Sequence, residues 1–600
     1  MSPFSAPSPT PQGAWHPDAG EASPRERAVA ASVERAAVDA GDAPEIAAAA
    51  GRLAAAVVAA EARGSTCVSL ADLPPGAVST APDASRMIAH RNDQDRSPVR
   101  DRPLVLDADA GLLFTARSWF FQERLAANLA ARLGEAEAPP GDTLARLFPD
   151  AGTPEGADAA AAAAGLAASR FGVLTGGPGT GKTTAAARLL AAFLLAEEAA
   201  GRDLAGLRIV LATPTGKAAE RLTASIRGSA PKLDAPEAVR GRLASLEAST
   251  VHRLLGWTPL PPERGGPFRR TAENPLAADV VLVDEASMIG LELMSRLCDA
   301  VRPDARLILM GDANQLASVE AGGVLAELVT AGEAAGPLAG RVFHLRHSRR
   351  FAPGGAIDRL ARAVLAGDDD AALAQLRSAD RDALATFTPA VRGLDSEAID
   401  LLQQDDREAA SLGEAEAFRL RIAGVRVLTA LRDGPSGEAG LNQRLLGATA
   451  PGARTEQPST WPAGCPVLVT RNDPETGLSN GDLGLLERPD GRPPEVAFEA
   501  AEGLRRVALA LIPGARPGHA MTVHKAQGSE AHRVFVVLPD RDTEVLSREL
   551  LYTALTRVAD RGGERGRLSI LGPEAVLRAA IRRKGLRRGG LVAALSAAPP

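Results

Sequence analysis

At 600 residues the chain is too long for one hydrophobic core, and about 150 residues per domain gives three or four. Aromatic residues are only 3% and the formal net charge is -6, which excludes a global basic face and a dense set of base-stacking rings; any nucleic-acid surface must be a local groove of a few Lys and Arg. Cys67, Cys298 and Cys465 are too far apart for a disulfide framework or thiolate metal site and read as buried free thiols, and no segment approaches the roughly 18 apolar residues of a membrane span.

Residues 1–24, rich in Pro, Ser and Ala, read as a disordered lead-in without the charged start and apolar stretch of a signal peptide, so a cytoplasmic protein with no membrane contact is expected. From 25 to 150, "RERAVAASVERAAVDA" and "SWFFQERLAANLAARL" carry helical apolar spacing and predict a small, mostly helical domain with no catalytic motif. The pattern then changes. Between 160 and 345, "FGVLT", "LRIVLAT", "DVVLVDE" and "ARLILMGD" alternate with helices and predict a parallel sheet covered on both faces. Functional residues then belong at the carboxyl ends of these strands.

A second set of such runs, "VRVLTAL", "HRVFVVLP" and "GRLSILG", predicts another α/β unit over 346–460 and 517–590. It is interrupted at 461–516 by closely spaced turn signals, "NDPETG", "SNGDLG" and "RPDGRPP", which predict a small antiparallel insertion. The acidic stretches "GDDDAALAQ" and "QQDDREAA" read as solvated helix faces. A tail follows at 591–600, after basic "RRKGLRR" (582–588), which reads as solvated and close to DNA.

Gly176, Gly177, Pro178, Gly179, Thr180, Gly181, Lys182, Thr183 and Thr184 form a G-x-x-x-x-G-K-[ST] loop between a strand and a helix. Glycines let backbone N–H groups turn around a β-phosphate, the helix N-terminus adds its dipole, Lys182 bridges β and γ oxygens, and Thr183 supplies a hydroxyl to Mg²⁺. Asp284 and Glu285 end an apolar strand; the first is expected in the magnesium shell and the second to orient or deprotonate the attacking water. Gln315, beyond another strand, is placed to sense the γ-phosphate, although a capped turn has the same look. Phosphoryl transfer also needs cations from the far side of the cleft, and Arg350 and Arg557 fit, although in isolation each would equally be a surface arginine.

In this order, "GGPGTGKTT", "ATPTGKAAERL", "STVHRLLG", "VLVDEASMI", "GDANQLASVEAGGVL", "SRRF", "TRNDPETGLSNGDLG", "MTVHKAQGSEAHRVFVVLP", "LYTALTR" and "RRKGL" resemble superfamily 1B helicases of the RecD type, the α subunits of bacterial exodeoxyribonuclease V. The resemblance covers about 160–590. It implies an α/β fold with two RecA-like P-loop domains, an SH3-like insertion and a helical N-terminal domain that docks partners. It further implies ATP and Mg²⁺ as cofactors, 5′→3′ unwinding of duplex DNA ends in double-strand break repair, and RecB-like and RecC-like subunits, with cutting left to the β subunit. A stand-alone RecD-like helicase, a relative acting on RNA, and a structural subunit with an idle motor are the alternatives.

By motif position, Thr213, Pro214, Thr215, Lys217, His252, Thr522 and His524 would line a track for single-stranded DNA, in the sequence-tolerant manner of phosphate contacts. His252 and His524 taken alone would read as capping or core histidines. Gln527 would couple DNA contact to the γ-phosphate, and Glu530 would meet the ribose. Two positions depart from the family pattern: Ala159 stands where many relatives carry an adenine-reading glutamine, and Arg349 where a tyrosine commonly stacks on adenine. The single tyrosine, Tyr552, lies in a different motif. Weakened discrimination between ATP and other nucleoside triphosphates is therefore expected.

Overall fold

Short β-rich runs buried on both faces, separated by alanine-rich helices, assemble into two all-parallel sheets whose polar strand ends face one another. The computed structural model describes residues 22–73, 84–91, 102–258, 267–333, 336–351, 354–377, 384–389, 394–409, 412–473, 475–500, 503–561, 563–585 and 587–598. Most of the lead-in therefore lies outside the described residues.

The N-terminal region begins with helices Pro24–Asp39 and Pro44–Ala62, packed on one another. Proline opens each helix, and Ser23 with Glu26 forms a reciprocal cap on the first, satisfying N–H groups that have no partner within the helix. The region is mostly helical, as expected, but it also holds a sheet: β1 (Cys67–Ser69), β2 (Ile88–His90), β3 (Leu104–Asp107) and β4 (Leu112–Thr115), in the order β1-β4-β3-β2. Strands of three or four residues are too short for alternation to show in the sequence.

The first parallel sheet comprises β5 (Phe171–Gly176), β6 (Ile209–Thr213), β7 (Ala248–Thr250), β8 (Val280–Val283), β9 (Arg306–Gly311) and β10 (Val342–Leu345), in the order β10-β5-β9-β8-β6-β7. Successive residues of one strand serve opposite faces. Val281 and Val283 pack with Leu297 and Leu307, whereas Val280 and Leu282 pack with Ala186 and Leu190 of the helix after the P-loop. Such strands are apolar throughout because a helix layer covers each face.

The second sheet is built from β11 (Ala385–Thr388) and β12 (Val425–Thr429), and is completed after an excursion of the chain. The excursion is the antiparallel insertion β13 (Pro466–Leu468), β14 (Leu483–Glu487), β15 (Glu495–Ala500), β16 (Gly503–Ala508) and β17 (Arg516–Pro517). It has its own core of Trp461, Val467, Leu486, Val496 and Phe498. The chain then returns as β18 (Ala520–Thr522), β19 (Arg533–Val537) and β20 (Arg567–Leu571), giving the parallel order β11-β20-β19-β12-β18.

Three polar stretches behave differently from the sequence expectation. Asp369 of the first acidic stretch is buried and accepts from Arg582 at 2.8 and 2.9 Å, while Asp405 of the second pairs with Arg561 at 3.2 Å. The basic stretch does not lie free in solvent. The Arg588 carbonyl accepts from the Thr66 N–H at 2.8 Å, its guanidinium pairs with Asp72 at 3.0 Å, and Arg587 donates to the carbonyls of Ser318 and Glu320. Beyond it, helix Leu591–Ala597 buries Leu591, Ala594 and Leu595 in the core of the first sheet. The chain thus leaves the second sheet and ties back to the N-terminal region and the first sheet.

Candidate active site

β5 ends at Gly176 and helix Lys182–Ala199 begins six residues later, so the intervening loop presents N–H groups that have no partner within the helix. Gly179 and Gly181 have φ of 75° and 88°, which only glycine adopts cheaply. Gly179 is required for a second reason, since a Cβ there would lie 2.4 Å from the Arg350 Cβ. The segment leading into the second sheet rests directly on the loop: Arg349 N donates to the Gly179 carbonyl at 2.8 Å and Ser348 Oγ to that of Pro178 at 2.9 Å. Lys182 Nζ donates to the carbonyls of Gly176 and Gly177 at 2.6 and 3.1 Å, which holds the ammonium against the loop.

Asp284 and Glu285 follow β8 at the adjoining edge. Glu285 is the one non-glycine residue with positive φ, 52°, among the described residues, a conformation costing about 1 kcal/mol or more. Its N–H donates to Asp284 Oδ1 at 2.8 Å. Burial, together with the Glu285 charge, pushes the Asp284 carboxyl up to about 6, against the pull of Lys182. Glu285 lines the cleft beside Asp284.

The second sheet closes the other side. Arg350 Nη2 pairs with Glu530 Oε1 at 2.7 Å, and Arg557 is buried, its Nε donating to the Thr553 carbonyl at 3.0 Å and its Nη2 to Thr556 Oγ1 at 3.2 Å. Among the described residues Arg557 makes no ion pair, and burial lowers its pKa. The loop after β9 spans the seam. Gln315 is buried beside Asp312, the Leu316 N–H donates to Thr553 Oγ1 at 2.8 Å, and Gln527 Nε2 donates to the Leu316 carbonyl at 3.0 Å.

Pro178 to Thr184, Asp284, Glu285, Gln315, Arg350, Glu530 and Arg557 all line one cleft of about 230 Å³. Gly176, Gly177 and Gln527 are not among its lining: the two glycines accept from Lys182, and Gln527 donates to the Leu316 carbonyl. Arg221 also lines the cleft and was not anticipated. It lies on helix Gly216–Ser229, where an arginine in a polar helix face gives no signal of its target.

The predicted track residues lie at the carboxyl ends of β6, β7 and β18. Thr213 is fully buried and donates to the Thr215 carbonyl at 2.8 Å, while Thr215 caps helix Gly216–Ser229, with Pro214 in the turn between. Lys217 occupies the first turn, and burial lowers its ammonium to about 8, with Arg426 adding to the effect and Asp482 opposing it. The insertion reaches this helix: a Cβ on Gly216 would lie 2.5 Å from Ser479 Oγ. Thr522 is buried and His524 is pushed down to about 4, first by burial and then by Arg587 and Arg432. His252 packs against Trp257 and Phe268 at centroid distances of 6.3 and 6.0 Å.

Of the two positions that depart from the family pattern, Ala159 is buried on helix Pro154–Ala167, and Arg349 pairs with Asp150 at 2.7 Å, which also takes Arg188 at 2.6 Å. The three cysteines are buried, and burial raises each thiol to about 12. No group of three His, Cys, Asp or Glu able to hold a metal occurs among the described residues. No described helix is long and apolar enough to cross a membrane.

A P-loop at the end of one parallel sheet, completed by arginines from a second, defines a two-domain RecA-like ATP-driven motor. Residues 159–321 match the AAA domain and residues 517–561 the UvrD-like helicase C-terminal domain. RecBCD enzyme subunit RecD of Mycobacterium tuberculosis is 43% identical over 511 residues, covering 82% of this chain and 83% of its own. That of Mycolicibacterium smegmatis is 40% identical, covering 82% and 84%. The ATP-dependent RecD2 DNA helicase of Deinococcus radiodurans is 34% identical, covering 66% of this chain and 47% of its own. The chain belongs to the RecD family and is an ATP-dependent DNA helicase.

Proposed function

We propose that this chain is the 5′→3′ motor of a cytoplasmic complex with RecB-like and RecC-like subunits, unwinding duplex DNA ends for recombinational repair. The observation that carries the motor reading is the convergence of Lys182, Asp284, Glu285, Gln315, Arg350 and Arg557 on one cleft between two sheets. The direction and the partners are what the resemblance to RecD subunits implies.

The donors present suit magnesium. Of the hydroxyls and carboxylates that line the cleft, Thr183 and Asp284 would hold it; Mg²⁺ takes one or two protein oxygens and completes its shell with phosphate and water. Bound there with ATP, it would neutralise charge on the phosphate oxygens. Lys182 exchanges the carbonyls of Gly176 and Gly177 for phosphate oxygens. Glu285, held by its backbone, orients the attacking water and accepts its proton. Arg350 and Arg557 offset charge on the transferred group from the opposite sheet, so hydrolysis is tied to closure of the cleft. Gln315 reads that closure, and Gln527 transmits it through the Leu316 carbonyl to β18, whose end carries Thr522 and His524. Lys217 and Thr215 hold strand phosphates without reading bases.

Wild-type protein should hydrolyse ATP faster with single-stranded DNA, and Lys182→Ala should abolish this; no stimulation in the wild type would favour an idle structural subunit. Duplexes with 5′ tails should be unwound in preference to those with 3′ tails or RNA tails. Tagged chain should co-purify with RecB- and RecC-like subunits at equal stoichiometry, and their absence would favour a stand-alone helicase.

A further inference from the structure

Helix Gly216–Ser229 carries Lys217 in its first turn and Arg221 four residues on, a spacing that stacks the two side chains on one face. Their surroundings differ. Lys217 lies toward the insertion and its Asp482, whereas Arg221 points into the ATP cleft. There Nη1 donates to the Gly528 carbonyl at 3.3 Å, and Nη2 pairs with Glu530 Oε1. The same oxygen accepts Arg350 Nη2 at 2.7 Å. One carboxylate oxygen is thus shared by two guanidiniums, Arg221 from the first sheet's helix layer and Arg350 from the segment entering the second. Burial by itself would raise the Glu530 carboxyl, yet Arg221 and Arg350 outweigh it and hold the group below its ordinary value.

Sharing has an energetic consequence. A carboxylate with one guanidinium can engage it on both oxygens, the strongest arrangement available to such a pair. With two guanidiniums on one oxygen, each is held less firmly. Arg350 must leave Glu530, at least in part, to face a γ-phosphate, so the firmness of its pairing enters the barrier to hydrolysis.

We propose that Arg221 is a positioning residue for ATP hydrolysis: by taking up part of the Glu530 charge it releases Arg350 toward the γ-phosphate, and its place one turn from Lys217 makes that release depend on the DNA track. The inference rests on the reading of Arg350 as a cleft cation and Lys217 as a DNA contact. When DNA engages Lys217, the helix start is fixed relative to the insertion, and Arg221 is fixed with it. Glu530 then stays on Arg221 as the cleft closes, and Arg350 is free to turn.

The test is steady-state ATP hydrolysis by the full chain with saturating single-stranded DNA, with DNA affinity measured in parallel. Arg221→Ala should lower kcat about tenfold, while the KM for ATP stays within about twofold, the pattern of a contribution made only in the transition state. DNA affinity should be unchanged, and Arg221→Lys should recover most of the loss. Adding Glu530→Gln to Arg221→Ala should restore kcat to within about threefold of wild type, since the charge holding Arg350 is gone. A ribose contact of Glu530 would raise KM in the double variant, and kcat remains the readout. Wild-type kcat in Arg221→Ala, or a double variant no faster than Arg221→Ala, overturns the proposal, the latter being the outcome of a merely structural ion pair. A wild-type chain without DNA-stimulated hydrolysis overturns the motor reading and this inference with it, a result distinguishable from the other two.

Discussion

The Tyr552 hydroxyl donates to Asp312 Oδ2 at 3.0 Å, joining helix Arg548–Leu555 of the second sheet to the loop that follows β9 of the first. Both groups are buried, and burial raises the Asp312 carboxyl, opposed by Lys182 and by this bond. The bond lies beside the Leu316 to Thr553 contact, so two hydrogen bonds cross the seam within one turn of helix. Tyr552→Phe leaves the carboxylate one donor short, a cost of about 1–3 kcal/mol. A lower melting temperature and a smaller DNA stimulation of ATP hydrolysis are expected. An unchanged melting temperature would show that the seam is held elsewhere.

Gly179 is constrained twice, by φ of 75° and by the approach of Arg350. Alanine there would pay about 1 kcal/mol for the backbone and in addition push the Arg350 segment off the loop. Gly179→Ala is therefore expected to lose ATP hydrolysis by more than tenfold while keeping its DNA affinity, since no track residue is touched. Gly201, also at positive φ but with open space around its Cβ position, provides the control: Gly201→Ala should show the backbone cost alone and retain activity.

Glu327 accepts the Leu591 N–H at 2.9 Å where the final helix docks, and burial pushes its carboxyl up to about 7 from an ordinary 4.5. The native state therefore holds its proton more tightly than the unfolded chain. This contribution to stability is fully present below pH 4.5 and is lost as pH rises to about 7. Glu327→Gln keeps an acceptor but no titration, so the melting temperature of the variant minus that of wild type should grow across that window and level off above it. A difference independent of pH would show that the carboxyl is not shifted.

The motor half of this architecture is written in the sequence because its chemistry needs fixed residue types at fixed spacing. The loop from Gly176 to Thr183, the acids ending β8 and the arginine-bearing segments are such patterns, and Pro178 to Thr183, Asp284, Glu285, Arg350 and Arg557 meet in the cleft. Three things were not legible, each for a physical reason. The strands β1 to β4 are too short to show alternation. Arg221 and Arg587 look like any solvated arginine, because what they contact is hundreds of residues away in the chain. Asp369 reads as part of a charge run, since burial of an acid depends on Arg582 arriving from the far end of the sequence.

The last expectation concerns the nucleotide base. The resemblance to RecD-type helicases implies an adenine-reading amide and ring where this chain has Ala159 and Arg349. Ala159 is packed in a helix core and has no polar atom beyond its backbone, so it offers the base nothing. Arg349 is half-exposed and its guanidinium is shared with Asp150, which Arg188 also engages. A planar guanidinium can lie over a purine face, but that contact distinguishes adenine from guanine far less than paired hydrogen bonds do. The phosphate grip proposed for Lys182 and the loop N–H groups does not depend on either residue. GTP and ATP should therefore be turned over at similar kcat/KM, within about tenfold, a difference of about 1.4 kcal/mol in transition-state binding. Asp150→Ala should free Arg349 and alter the KM for both nucleotides in parallel. A GTP rate far below that of ATP would mean that residues other than these two read the base.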